Sequence, residues 1–299
     1  MTTPALATTE LTKHYGSTRA LVDLDLEVAP AQVFGYLGPN GAGKTTTIRL
    51  LLDLIRPTSG RAVVLGLDCR TQSIDVRRRV GYLPGELELY EDMTARELFR
   101  YFGALRGSRA QPYAEELSER LDLDASRKIG TLSKGNKQKV GLIQAFMLKP
   151  DLLILDEPSS GLDPLVQHEF HKILQETVAE GRTVFLSSHV LSEIEHLAHV
   201  VGIIRSGSLV VVERIEKLKE KAARRVEFLF AEPVPRDSFT AIESVREAVF
   251  NDRVAIFTVE GSVDRLLKAV ARFEVVDMIS HEPDLEEVFL EYYREDADA

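Results

Sequence analysis

The residues best suited to chemistry stand at the ends of short apolar runs. Gly38-Pro-Asn-Gly-Ala-Gly-Lys-Thr-Thr46 follows the run Val33-Phe-Gly-Tyr-Leu37 and leads into the helical pattern of Thr47 to Ile55. It fits G-x-x-x-x-G-K-[ST] in the strand, turn and helix setting that this pattern requires. Gly38, Gly41 and Gly43, separated by Pro39, Asn40 and Ala42, let the backbone curl until successive N–H groups face phosphate oxygens. The helix start adds positive potential. Lys44 is placed for β- and γ-phosphates and the Thr45 hydroxyl for Mg²⁺, with Thr46 beside them.

A second constellation closes the run Leu152-Leu-Ile-Leu-Asp-Glu157. Four apolar residues predict a strand buried on both faces. Asp156 at its end is costly unless it meets a cation, here Mg²⁺ directly or through water. Glu157 follows, where a carboxylate can orient and deprotonate a water molecule. Arg182 to His189 runs from strand to loop and leaves His189 at the edge where open α/β sheets bind ligands. Ser133 and Gly135, within Leu132-Ser-Lys-Gly-Asn136, open a helix; they suit an anion, and Ser133 equally suits an N-cap. Asp163 ends the turn Ser160-Gly-Leu-Asp163 before Pro164 and is a good N-cap for the helix through Glu180. Tyr15, ahead of a glycine, is either a stacking surface for a purine or a strand-end packing residue.

The elements that must position these groups alternate between strand and helix. Ala5 to Tyr15, Ala20 to Val28 and Gln32 to Leu37 read as strands, the second with Leu24, Leu26 and Val28 alternating against Asp23, Asp25 and Glu27. Gly60 to Gly66 and Val80 to Pro84 are further strands, with a helix over Ser73 to Arg79 between them. Thr94 and Glu97 form a capping box for a helix whose apolar face is Leu98, Phe99, Phe102 and Leu105. Another helix spans Gln111 to Leu121, so residues 86 to about 150 make a helical part within an α/β body. An apolar helix from Val140 to Leu148 and strands over Val200 to Arg205 and Ser208 to Val212 complete it. Residues 1–215 are thus one domain. A charged helix from Glu213 to Ala223 links it to residues 216–299, a small α+β accessory module. That module has strands at Arg225 to Phe230, Val254 to Val259 and Phe273 to Val276, and a helix over Val263 to Ala271. It closes with an amphipathic helix from Pro283 to Tyr293.

At 299 residues and 44% apolar content the chain can bury ample core, and no apolar run approaches a membrane span. The single cysteine, Cys69, excludes an internal disulfide and reads as structural or incidental; with no basic-then-apolar leader, a reducing cytosol is expected. The net charge of −10 is uneven, because residues 220–299 hold 10 basic against 19 acidic side chains. That segment would repel a nucleic-acid backbone, so no nucleic-acid partner is expected. Two histidine pairs at helical spacing, His168/His171 and His196/His199, would bind metal only if further ligands converged on them.

Taken together and in this order, the motifs resemble the nucleotide-binding subunits of ATP-binding cassette (ABC) transporters, over residues 5 to about 215. Gly38 to Thr46 resembles the Walker A loop, Leu152 to Glu157 the Walker B strand with its catalytic glutamate, and Leu132 to Asn136 the family signature. Ser160 to Asp163 resembles the D-loop, His189 the switch histidine and Tyr15 the adenine-stacking aromatic. The Ser-Lys-Gly-Asn form and the Leu-Glu-Glu-Val-Phe-Leu ending are similar to bacterial subunits of the drug- and antibiotic-export branch. The resemblance implies a P-loop cassette with a mixed core sheet, an antiparallel β subdomain and a helical subdomain. It implies ATP and Mg²⁺, and two copies clamping two ATP molecules head to tail. Each ATP then lies between the 38–46 loop of one copy and Ser133 and Gly135 of the other, with Asp163 a further nucleotide-binding candidate. It also implies a separate polytopic membrane permease, which holds this chain peripherally at the cytoplasmic face of the membrane. Lys134 and Asn136 replace the family's glycine and glutamine. Gly85 stands where the family has a glutamine, and Glu86, next to it, takes over the metal contact if the loop shifts by one residue. A competing class is a soluble ABC ATPase acting on ribosomes or nucleic acid without a permease.

Overall fold

A computed structural model describes residues 3–107, 111–221, 223–239, 242–281 and Phe289. The chain forms two compact units, Met1–Val212 and Glu213–Ala299, a break slightly ahead of the expected one after residue 215. In the first unit, β1 (Leu6–Tyr15) and β2 (Thr18–Val28) form a hairpin, and β3 (Val33–Leu37) runs through the glycine loop into α1 (Lys44–Leu51). Next come β4 (Ser59–Val64), the two-residue β5 (Leu67–Asp68), α2 (Ser73–Arg79) and β6 (Val80–Leu83). Helices α3 (Ala95–Leu105), α4 (Gln111–Arg120) and α5 (Lys134–Phe146) then form the helical part. The chain returns through β7 (Leu152–Asp156), α6 (Pro164–Ala179), β8 (Thr183–Ser188), α7 (Leu191–Leu197), β9 (Val200–Arg205) and β10 (Ser208–Arg214).

These strands make two sheets. One is antiparallel, ordered β2-β1-β4-β5, and the other holds six strands ordered β10-β9-β3-β8-β7-β6. Within the larger sheet β9, β3, β8, β7 and β6 are parallel. Ser206 and Gly207, both at positive φ (49° and 83°), turn the chain in two residues, so β10 returns antiparallel and the sheet is mixed. Every residue of β3, β7 and β8 is buried, as strands covered on both faces must be. Phe34 stacks on Phe185 with ring centroids 5.6 Å apart, and burying each such side chain contributes roughly 1.5–3 kcal/mol. Parallel register sets Leu37 beside Ser188 and Asp156 beside Ser187. Three central strands therefore end on one line, and each end carries one of the sequence motifs.

Helix bounds correct several expectations. The capping box at Thr94 is present, with Glu97 N–H donating to Thr94 Oγ1 and Thr94 N–H to Glu97 Oε2. Leu98 and Phe99 are buried, but Leu105 is 64% exposed, because it ends the last turn of α3 beyond any core. Helix α5 begins at Lys134 with Ser133 as its N-cap, and the apolar stretch from Val140 is its second half, ending at Phe146 rather than Leu148. Its polar first turns are helical because Ser133 caps them and because Gln138 and Lys139 are buried. The expected linker helix is shorter: Glu213 and Arg214 finish β10, and α8 spans Ile215–Lys221. Among the described residues no helix is long and apolar enough to cross a membrane.

In the second unit β11 (Arg224–Phe230), β12 (Val245–Asn251), β13 (Val254–Val259) and β14 (Val275–Ser280) form an antiparallel sheet ordered β12-β13-β11-β14, and α9 (Asp264–Val270) lies between β13 and β14 in sequence. Its core is aromatic, with Phe228, Phe230, Phe239 and Phe257 fully buried. Strand β12 was not expected, and the last strand begins at Val275 rather than Phe273. The helix expected over 283–293 lies outside the described residues except for Phe289, which is helical and buried.

Candidate functional site

The glycine loop leaves β3 with Gly38 N–H directed at Ser188 O (3.4 Å), which ties it to the end of β8. Gly43 caps α1 at φ 112°, and a Cβ there would lie 2.8 Å from Ala20 O, so only glycine fits. No side chain caps α1, which leaves its first N–H groups to a ligand. Beneath the loop is a cavity of about 310 Å³ whose wall includes Pro39, Asn40, Gly41, Gly43, Lys44, Thr45 and Thr46, with Ala20, Gly85, Asp156 and Glu157. Lys44 is 6% exposed, and its ammonium donates to Gly38 O at 2.5 Å and Pro39 O at 3.3 Å and stands 3.7 Å from Glu157 Oε1. Burial pulls its pKa down, and the Glu157 and Asp156 carboxylates pull it partly back.

Thr45 Oγ1 donates to Asp156 Oδ2 at 2.9 Å. Asp156, 2% exposed, also accepts from the Ser187 hydroxyl. A hydroxyl and a carboxylate on a cavity wall are hard oxygen donors, which fits a small divalent cation such as Mg²⁺.

Glu157 follows in the left-handed region, at φ 51°. For a residue with a side chain this costs on the order of 1–3 kcal/mol. The kink is held by Glu157 N–H donating to Ser187 O at 3.1 Å and by the Gln138 amide donating to Pro158 O at 2.9 Å. It turns the carboxylate out of the buried strand and into the cavity. On its other side Glu157 Oε2 meets His189 Nδ1 at 2.8 Å, outside that cavity. Lys44, Glu157 and His189 thus form one line across three strand ends.

Ser133, Gly135 and Asp163 are not brought to this cavity. Ser133 Oγ accepts from Asn136 N–H at 3.3 Å and Asp163 Oδ1 from Val166 N–H at 3.0 Å, so both cap their own helices. A Cβ at Gly135 would lie 2.6 Å from Gly161 O, which packs the start of α5 against the 158–163 turn. Tyr15 is 47% exposed at the tip of the hairpin that brings Ala20 to the cavity wall, and the Lys13 ammonium lies 4.9 Å from its ring centre. Gly85 lines the cavity, and a Cβ there would lie 3.3 Å from Asp156 Oδ2. Glu86 is exposed.

Ala20, Ser187 and Gln138 were not anticipated. Ser187 and Ser188 offered one signal, two hydroxyls at the end of an otherwise apolar strand. Beyond Glu157 lies a second cavity of about 400 Å³, whose wall includes Ser159, His171, His189, Glu193 and His196. His171 has its pKa lowered by burial and by the neighbouring His196 and His168, whereas His199 Nδ1 accepts from Val33 N–H at 3.0 Å. Among the described residues no group of three or more His, Cys, Asp or Glu side chains has the geometry to hold a metal ion.

A loop with free N–H groups for phosphate, paired oxygen donors suited to a hard cation and a carboxylate aimed at the same cavity are protein groups suited to phosphoryl hydrolysis. Comparison with known proteins agrees. A family model described as "ABC transporter" matches residues 21–160. The chain is 38% identical to the bacitracin transport ATP-binding protein BcrA of Bacillus licheniformis, over 75% of this chain and 74% of that protein. It is 34% identical to the daunorubicin resistance ATP-binding protein DrrA3 of Streptomyces coeruleorubidus, over 93% of this chain and 92% of that one. Among solved structures, an ATP-binding subunit of an ABC transporter superposes with a TM-score of 0.68 at 30% identity, covering 72% of this chain and 92% of its own. The dimeric cassette MJ0796 superposes at 0.64 with 20% identity, over 70% of this chain and 98% of its own, a likeness of fold.

Proposed function

The chain belongs to the ABC transporter ATP-binding family, as an ATP hydrolase that powers transport, and from that premise we propose how its site is completed and what it drives. Two copies clamp two ATP molecules head to tail. In each site the 38–46 loop of one copy holds the phosphates through its N–H groups and Lys44, and Tyr15 stacks on the adenine. Ser133 and Gly135 of the second copy close the open side through the N-terminus of α5, with Asp163 alongside. The observation that carries this reading is the separation within one chain: Lys44, Asp156 and Glu157 share a cavity that Ser133, Gly135 and Asp163 do not reach.

Thr45 and Asp156, directly or through water, would hold Mg²⁺, which supplies neutralising charge at the phosphate oxygens. Glu157 accepts a proton from the attacking water, and Lys44 stabilises charge on the oxygens in flight. His189, bonded to Glu157 Oε2, keeps that carboxylate oriented and faces the γ-phosphate. ATP closes the pair, and loss of the γ-phosphate lets it open. The motion drives a separate polytopic permease, with the chain at the cytoplasmic face of the membrane, and the cargo is a drug, an antibiotic or another hydrophobic compound. The relatives named for bacitracin transport and daunorubicin resistance support that direction, the second over nearly the whole chain.

The test is co-purification of the full chain from membranes, followed by ATP-driven drug uptake into inverted vesicles. Recovery of a multi-span membrane protein and ATP-dependent accumulation are expected. Association with ribosomes or DNA instead, without any permease, would overturn the transport reading.

A further inference from the structure

Glu193, in α7, spends its two carboxylate oxygens on two different segments. Oε1 accepts from the Ser159 hydroxyl in the 158–163 turn, and Oε2 from the Ser188 hydroxyl, at the end of β8, at 2.6 Å. Ser188 Oγ also accepts from Val190 N–H at 3.0 Å, so the loop is pinned on both sides of His189. The same turn is held from the other flank by Gln138 of α5, the helix that Ser133 caps. A chain of direct hydrogen bonds therefore runs from α5 through the turn to Glu193 and on to the strand end carrying His189. Burial pushes the Glu193 carboxyl above its ordinary range, and the two hydroxyls draw it part of the way back. Such a placement is unfavourable unless both hydroxyl bonds are kept.

We infer that Glu193 is a positioning residue for hydrolysis, holding the 158–163 turn and the His189 loop in one frame. This rests on the reading in which α5 serves the nucleotide bound by a second copy. Glu193 then makes closure around that nucleotide and the alignment of Glu157 with His189 a single event. A mere pin for α7 would affect stability but would not link Ser159 to turnover.

The test uses the full chain, unaltered and as Glu193→Ala, Glu193→Gln and Ser159→Ala. Binding of the fluorescent nucleotide mant-ATP reports the phosphate loop, and Mg-ATP hydrolysis reports catalysis. Stoichiometry and affinity for mant-ATP are expected to stay within about twofold throughout, since Glu193 does not line the 38–46 cavity. In Glu193→Ala kcat is expected to fall on the order of tenfold, the loss of a hydrogen bond to a charged group. Glu193→Gln keeps the size but only one acceptor oxygen and should fall in between; it carries the test if the alanine variant does not fold. Adding Ser159→Ala to Glu193→Ala should cost nothing further. Wild-type kcat in the glutamine and alanine variants, or fully additive losses, would overturn the inference. Sedimentation of Glu157→Gln with ATP separates the two ideas. Monomers there would overturn the shared site, whereas dimers with unchanged kcat in Glu193→Ala would overturn the role of Glu193 alone.

Discussion

Thr45 Oγ1 and Asp156 Oδ2 meet at 2.9 Å although 111 positions separate them in sequence. The contact exists because β3 and β7 flank β8 in parallel and end together, so the first turn of α1 rises beside the end of β7. Nothing local to either residue requires it.

Asp156→Asn removes the negative charge from that pair while keeping its shape. Nucleotide binding without metal should change little, and the Mg²⁺ concentration for half-maximal hydrolysis should rise roughly 10–100-fold. A magnesium titration of ATP turnover checks this; an unshifted midpoint would take Asp156 out of the metal site.

Glu157→Gln keeps the hydrogen-bonding reach toward His189 and loses the proton acceptor. Turnover should drop on the order of 10²–10⁴-fold with ATP affinity retained or improved, since general-base catalysis is what disappears. Single-turnover hydrolysis beside equilibrium ATP binding separates the two quantities, and substantial residual turnover would move the base elsewhere.

Gly135→Ala would place a methyl carbon 2.6 Å from Gly161 O, where the neighbour is backbone and not a side chain able to swing away. A stability loss of about 1–3 kcal/mol is expected, the usual cost of overpacking. Urea unfolding measures it, and a melt identical to wild type would mean that α5 and the turn are not in contact.

Cys69 is 4% exposed, and burial pushes its thiol up to about 12. Thiolate is the reactive form, and its share grows with pH only toward that value, so at pH 8 it should be on the order of one part in ten thousand. Labelling of the native chain by a thiol reagent at pH 8 should be very slow and become complete in guanidinium. Fast labelling of native protein would contradict the packing around Cys69.

What the sequence by itself determined is everything whose bonds close within a few residues. The Thr94–Glu97 box and the caps at Ser133 and Asp163 each join positions three apart, so residue type and spacing specify them. The 38–46 loop is likewise one contiguous piece of backbone, and the apolar β3, β7 and β8 declare their burial by composition. Tertiary structure alone decided which strand ends lie side by side. Ser187 against Asp156, Gln138 against Pro158 and Glu193 against Ser159 span 31, 20 and 34 positions. Their partners follow from sheet order and register, set by side-chain packing over the whole core, to which a short sequence window is blind. Strand β12 escaped for a related reason: Val245-Arg-Glu-Ala-Val-Phe-Asn251 is an edge strand exposed along most of its length, and only pairing with β13 makes it a strand. The left-handed turn at Glu157 belongs with these, since a strained φ is kept only where surrounding bonds from β8 and α5 outweigh its cost.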